Sequence, residues 1–106
     1  MKKLKNELKT FLKNELVIDI FIIGSAIKDK FAPADIDLIV LFKEKDYKKV
    51  EDTLYDIKRK VDIDNLHLEP VYIENFFASK ITQSIIHEGY SVKHNKPLHK
   101  LLGFNA

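Results

Sequence analysis

With 106 residues, 32% of them charged and a formal net charge of +2, the chain is long enough for one small hydrophobic core. The absence of cysteine excludes disulfides, thiolate metal sites and thiol catalysis, and the net charge is too small to argue for nucleic-acid binding. Because no apolar run is long enough to span a membrane and the first residues are charged, we expect a soluble, cytoplasmic protein that forms a single domain over residues 1–106.

The first half of the chain predicts a helix, two strands and a second helix. Leucines at helical spacing, with Lys and Glu between them, predict an amphipathic helix over 4–16. The nearly continuous β-branched run 17–23 is typical of a buried central strand, and 36–42 predicts the next strand. Asp46 is placed to cap the second helix. The apolar face of that helix comprises Tyr47, Val50, Leu54, Ile57 and Val61.

The second half predicts a strand, a helix and a short further strand. The run 66–73 predicts a strand, and Pro70 favours a position for it at the edge of a sheet. Apolar residues at helical spacing predict a third helix over 77–85, which Gly89 ends. A short extra strand is predicted over 90–93.

The order of these elements predicts an α+β fold, a two-layer α/β arrangement. The connection between the first two strands is too short for a helical crossover, so we expect them to be antiparallel or splayed. We therefore expect a small mixed sheet with helices packed mainly on one face.

Polar residues lie where the first strand ends and the second begins. Gly24-Ser25 follows the first apolar run, and Asp35 and Asp37 come after nine intervening residues. Residues two apart on a strand share a face, so the two carboxylates lie side by side. Hard oxygen ligands of this kind suit Mg²⁺. Glu69, the only carboxylate of the third predicted strand, is the candidate for a third acid, and Asp64 is the reserve.

Three carboxylates suit a site for two divalent ions, which clamp the attacking and leaving oxygens of an in-line displacement. Gly24 lets the backbone approach a triphosphate, and Ser25 offers its N–H and hydroxyl as donors. Lys28 is a candidate to balance phosphate charge, and Glu69 to accept a proton from the attacking hydroxyl. His67 shares a strand face with Glu69, and either lines this pocket or is a hydrogen-bonded surface group.

The Gly24-Ser25 pair, its spacing and the Asp35-x-Asp37 pair between apolar strands resemble the signature of the DNA polymerase beta-like nucleotidyltransferase superfamily. The small size resembles the minimal nucleotidyltransferases of prokaryotes. The resemblance implies transfer of a nucleoside monophosphate, from ATP or another nucleoside triphosphate, to a hydroxyl with release of pyrophosphate. It also implies that Asp35, Asp37 and Glu69 bind two Mg²⁺ ions, while Gly24 and Ser25 hold the triphosphate.

The resemblance also implies a partner. Minimal nucleotidyltransferases are often paired with a small helical HEPN protein in a toxin–antitoxin arrangement, and neutralise it by adding AMP to a hydroxyl. Two other partners are left open. One is a second copy of the chain, and the other is a nucleic acid that is bound only through a partner protein.

Two alternatives to this enzyme function stay open. The segment 26–29 reads Ala-Ile-Lys-Asp where many family members carry arginine. This departure favours, as the first alternative, a binding module with a weakened active site that neutralises a partner sterically. The second alternative is a small α/β domain whose acidic cluster binds a structural cation.

Overall fold

The computed structural model describes residues 2–23, 36–63, 66–78 and 89–98 of the chain, which form helices and strands. The elements are helix α1 (Lys2–Lys9) with a 3-10 turn (Thr10–Lys13), β1 (Val17–Ile23), β2 (Ile36–Phe42), helix α2 (Tyr47–Val61), β3 (Leu66–Tyr72) with a 3-10 helix (Ile73–Ala78), β4 (Gly89–Ser91) and β5 (Lys96–Pro97). The predicted strands 17–23 and 36–42 are confirmed, whereas most of the predicted third helix lies outside the described residues. No helix within the described ranges is long and apolar enough to cross a membrane.

The strands form one mixed sheet in the order β3-β2-β1-β4-β5. β1 pairs with β2 and β4 in antiparallel fashion, and β4 pairs likewise with β5, whereas β2 and β3 are parallel. Of the two arrangements expected for the first two strands, antiparallel or splayed, the structure has the antiparallel one. Among the described strands β3 lies at one edge of the sheet, as Pro70 predicts, because proline cannot donate a ladder hydrogen bond.

Helix α1 ends earlier than its apolar pattern predicts. The α-helix stops at Lys9, and a 3-10 turn leads to Asn14. The Asn14 side-chain oxygen accepts a hydrogen bond of 2.9 Å from the backbone N–H of Leu16. Asparagine offers the backbone such local bonds in place of a continued helix, so the chain turns here into β1.

Helix α2 begins as predicted, with the Asp46 carboxylate accepting a hydrogen bond of 3.2 Å from the backbone N–H of Lys49. Its predicted face is correct except at Tyr47, which is 68% exposed. Cβ atoms point toward the helix N-terminus, so a side chain at the first helical position extends beyond the packed turns. Thr53 is the buried polar residue of this face, and its hydroxyl donates a bond of 2.7 Å to the carbonyl of Lys49.

Each face of the sheet has its own apolar cluster. The helix-side face packs against α1 and α2, and its fully buried members include Leu8, Ile20, Ile22, Val40, Phe42 and Ile57. The opposite face has a smaller cluster, which comprises Phe21, Ile39, Leu41, Val71, Phe76 and Leu98. Both described α-helices thus lie on one face, in agreement with the predicted α+β arrangement, whereas the opposite face carries Phe76 of the 3-10 helix and has room for polar residues.

Candidate functional site

The structure describes two of the predicted site residues, Asp37 and Glu69. The others, together with the reserve acid, lie outside the described residues: Gly24, Ser25, Lys28, Asp35 and Asp64.

Asp37 lies near the start of β2, at the sheet end where β1 finishes. It pairs with Ile23 of β1 on one side and with His67 of β3 on the other. Strand alternation places its side chain on the same face as Ile39, which is the opposite face of the sheet. Both Asp37 and His67 are exposed. The acid thus lies at an accessible sheet end, as a ligand or substrate site requires.

Glu69 is exposed on the same face, one step further along β3. Its partner across the ladder is Ile39, so it lies diagonally from Asp37 rather than directly opposite. Diagonal neighbours in a sheet are separated by roughly 7–8 Å, a distance that long side chains can bridge. Sequence reasoning correctly placed Glu69 on a neighbouring strand, but the register that puts His67 nearer to Asp37 was not readable from the sequence.

The donor atoms on this face are of types that divalent cations bind. Asp37 and Glu69 offer carboxylate oxygens, and His67 offers an imidazole nitrogen, all from exposed positions. Within the described ranges no three histidine, aspartate or glutamate side chains are grouped closely enough to hold a metal ion. The other acid of the predicted pair, Asp35, precedes the described part of β2.

The end of β1 and the start of β2, which flank the segment 24–35 in the sequence, lie at the same end of the sheet. Ile23, the last residue of β1, pairs with Asp37, the second residue of β2. The Gly24-Ser25 pair follows Ile23 directly in the sequence, and Asp35 directly precedes Ile36. The strand pairing therefore fixes both points where the segment 24–35 joins the sheet, and these points lie on adjacent strands.

A third acid of the same face, Asp19, was not identified from the sequence. It is only 4% exposed, near the far end of β1 from Ile23. Its carboxylate accepts hydrogen bonds from the Ser91 hydroxyl, from the Lys93 backbone N–H at 3.1 Å and from the Ile20 backbone N–H at 2.7 Å. A single acid within an otherwise apolar strand is the sequence feature that would have identified Asp19.

A local irregularity in β1 puts Asp19 on this face. Val17 pairs with Phe42 and Asp19 pairs with Leu41, so Ile18 is an extra residue on the β1 side. This β-bulge changes the alternation, because residues 17 and 19 would otherwise share a face. Val17 accordingly packs in the helix-side cluster, whereas Asp19 pairs with a residue of the opposite face.

The family model described as "Polymerase beta, Nucleotidyltransferase" matches residues 5–92. The chain belongs to this nucleotidyltransferase family. The match spans β1, β2, β3, helix α2 and most of α1, and so includes every residue of the predicted site. The resemblance seen in the sequence is thereby confirmed at the level of the family and its fold.

A solved structure of similar fold is described as "Crystal structure of the toxin-antitoxin with AMP-PNP". It matches this nucleotidyltransferase domain with a TM-score of 0.59 and 16% sequence identity, over 83% of this chain and 71% of the other. At this identity the likeness shows a shared fold. Comparison with curated proteins gave no match.

Proposed function

We propose that this chain is a minimal nucleotidyltransferase that transfers AMP from ATP to a hydroxyl of a partner protein. The observation that carries the proposal is the position of Asp37. In a chain of this family, it is exposed at the sheet end where β1 stops and β2 begins, on the same face as Glu69. An accessible acid at that point is what binding of a cation and a triphosphate requires.

In this proposal Asp35, Asp37 and Glu69 hold Mg²⁺, and Gly24, Ser25 and Lys28 hold the triphosphate. Bound Mg²⁺ would neutralise phosphate charge and so favour attack on the α-phosphorus.

The transfer itself is an in-line displacement. The acceptor hydroxyl oxygen forms a bond to the α-phosphorus as the bond from that phosphorus to the bridging oxygen breaks, and pyrophosphate leaves. Glu69 accepts the hydroxyl proton, because its carboxylate is exposed on the face that bears Asp37. Gly24 and Ser25 orient the triphosphate through backbone and hydroxyl donors.

The partner is proposed to be a small helical HEPN-type toxin, which would make this chain its antitoxin. The similar structure described above is a toxin–antitoxin complex with AMP-PNP, which supports both a toxin partner and an adenine nucleotide. We also propose that residues 1–106 act as one domain in the cytoplasm, and that any contact with nucleic acid is made through the partner.

The test is label transfer from α-labelled ATP in the presence of Mg²⁺ and the protein encoded by the neighbouring reading frame. Replacing both Asp35 and Asp37 with Asn should lower transfer at least about a hundredfold, because the metal ligands are lost. Asp52→Asn, an exposed acid in the middle of α2, is the matched control and should retain full transfer. Undiminished transfer by the double variant would refute the proposed site.

A second candidate function, steric neutralisation of a partner by a weakened site, is favoured by the segment 26–29, which has a lysine but no arginine. Calorimetry separates the two. Tight binding of the partner, together with no binding of ATP and Mg²⁺ at millimolar concentration, would favour the binding module over the enzyme.

A further inference from the structure

His67 is the residue that the parallel ladder places directly opposite Asp37. In the register of β2 and β3, Asp37 pairs with His67, whereas Glu69 pairs with the apolar Ile39. Residues that pair across a ladder share a face, so the imidazole and the carboxylate lie on the same side of the sheet. Both side chains are exposed to solvent. An imidazole is therefore the neighbour that the sheet itself gives to the predicted metal-binding acid.

The distances implied by the register favour His67 over Glu69 as a neighbour of a cation at Asp37. Adjacent strands lie about 4.8 Å apart, so directly paired residues are close. Diagonal pairs are separated by roughly 7–8 Å. A cation bound by Asp37 therefore reaches the His67 ring more easily than the Glu69 carboxylate.

The two donors have different preferences among metals. Mg²⁺ is a hard cation that prefers oxygen ligands and holds its water molecules tightly. First-row transition-metal ions accept an imidazole nitrogen more readily than Mg²⁺ does, with Mn²⁺ the weakest binder of that series, and a neutral ring also brings no negative charge to the site. An imidazole beside Asp37, compared with a carboxylate at the same position, should therefore weaken Mg²⁺ binding more than it weakens binding of a transition-metal ion.

We propose that His67 is a nitrogen ligand of the metal site beside Asp37, and that it shifts the preference of the site from Mg²⁺ toward a transition-metal ion such as Mn²⁺. This inference rests on the proposed function, which places the metal at Asp37. It goes beyond that function by naming a further ligand and the class of cation that the ligand selects.

The experiment measures the dissociation constants of Mn²⁺ and of Mg²⁺ separately, by calorimetry on the full chain with ATP absent and then present. His67→Gln keeps a polar side chain but removes the imidazole, and should lower the preference for Mn²⁺ over Mg²⁺ at least fivefold. His67→Asp supplies a hard oxygen ligand, and should raise Mg²⁺ affinity at least fivefold. His94→Gln is the matched control, since His94 is an exposed histidine in the turn between β4 and β5, and should leave both constants unchanged.

Paramagnetic broadening gives a second measurement that does not depend on activity. Low concentrations of Mn²⁺ should broaden the imidazole NMR signals of His67 in preference to those of His94. Thermal unfolding followed by circular dichroism verifies that each variant is folded.

The inference is overturned if His67→Gln leaves both dissociation constants within twofold of the wild type, or if Mn²⁺ does not bind at millimolar concentration. Asp37→Asn separates this failure from failure of the proposed function. If Asp37→Asn abolishes metal binding but His67→Gln does not change it, the metal site stands and only the imidazole ligand is wrong. If neither variant changes metal binding, the proposed position of the metal is wrong as well.

Discussion

Two aspartates lie toward opposite ends of one sheet face, and their surroundings give them different roles. Asp19 of β1 is 4% exposed and accepts three hydrogen bonds. Asp37 of β2 is exposed, beside Ile23 and His67. The contrast teaches that an acid on this face stabilises the fold where hydrogen-bond donors from β4 and the turn after it surround its carboxylate. At the exposed sheet end, the same side chain is available for ligands.

Replacing Asp19 should have the largest effect on stability. Asp19→Ala leaves the buried Ser91 hydroxyl and the Lys93 N–H without their acceptor, and should lower the free energy of unfolding by about 3 kcal/mol. The midpoint of thermal unfolding should fall by roughly 12 °C or more for a domain of this size. Circular dichroism or calorimetry measures the change.

The control for this prediction is Asp37→Ala, which removes the exposed acid of the same face. It should change stability by no more than about 0.5 kcal/mol, because a solvated carboxylate loses little on truncation. Equal destabilisation by the two substitutions would contradict the division between a structural and an available acid.

Ser91→Ala sharpens the comparison by removing one of the three donors to Asp19. The serine is fully buried, and its oxygen also accepts a hydrogen bond of 3.1 Å from the backbone N–H of His94. The substitution should cost about 1.5 kcal/mol, since the carboxylate keeps its two backbone donors. Denaturant unfolding measures it, and Ser91→Thr tests whether the hydroxyl alone restores the loss. A cost as large as that of Asp19→Ala would mean that the hydroxyl bond dominates the network.

Asp46 provides a third acid, between the two extremes, as the N-cap of α2. Asp46→Ala removes the acceptor of the Lys49 N–H and should destabilise the protein by about 1 kcal/mol. Asp46→Asn retains a capping oxygen and should recover most of the loss, as measured by chemical unfolding. An Ala variant as stable as the wild type would show that the cap contributes nothing in this context.

Local patterns predicted the parts of the fold that depend on neighbouring residues. The β-branched runs predicted β1 and β2, the acid before the second helix predicted its cap, and Pro70 predicted an edge strand. Tyr47 was wrongly assigned to the core. The helical spacing of apolar residues does not show that the first turn of α2 extends beyond the sheet surface on which the helix packs.

The candidate site was predictable only in part, for a similar reason. Sequence spacing indicates that Asp37 and Glu69 lie on strands, and alternation shows which face each occupies. It does not determine how β3 is aligned along β2, because helix α2 separates these strands in the sequence. His67 was therefore named without a defined role, and the role of Asp19 depends on residues that only the folded chain brings to it.

The bond between Asp19 and Ser91 joins residues that are 72 positions apart in the sequence. Such a contact requires closure of a long loop, whereas β1 and β2 are consecutive strands of the described sheet. We therefore expect this bond to form after the rate-limiting step of folding, so that it mainly slows unfolding. In kinetic terms, the buried acid governs how long the native state persists and has little influence on how quickly that state is reached.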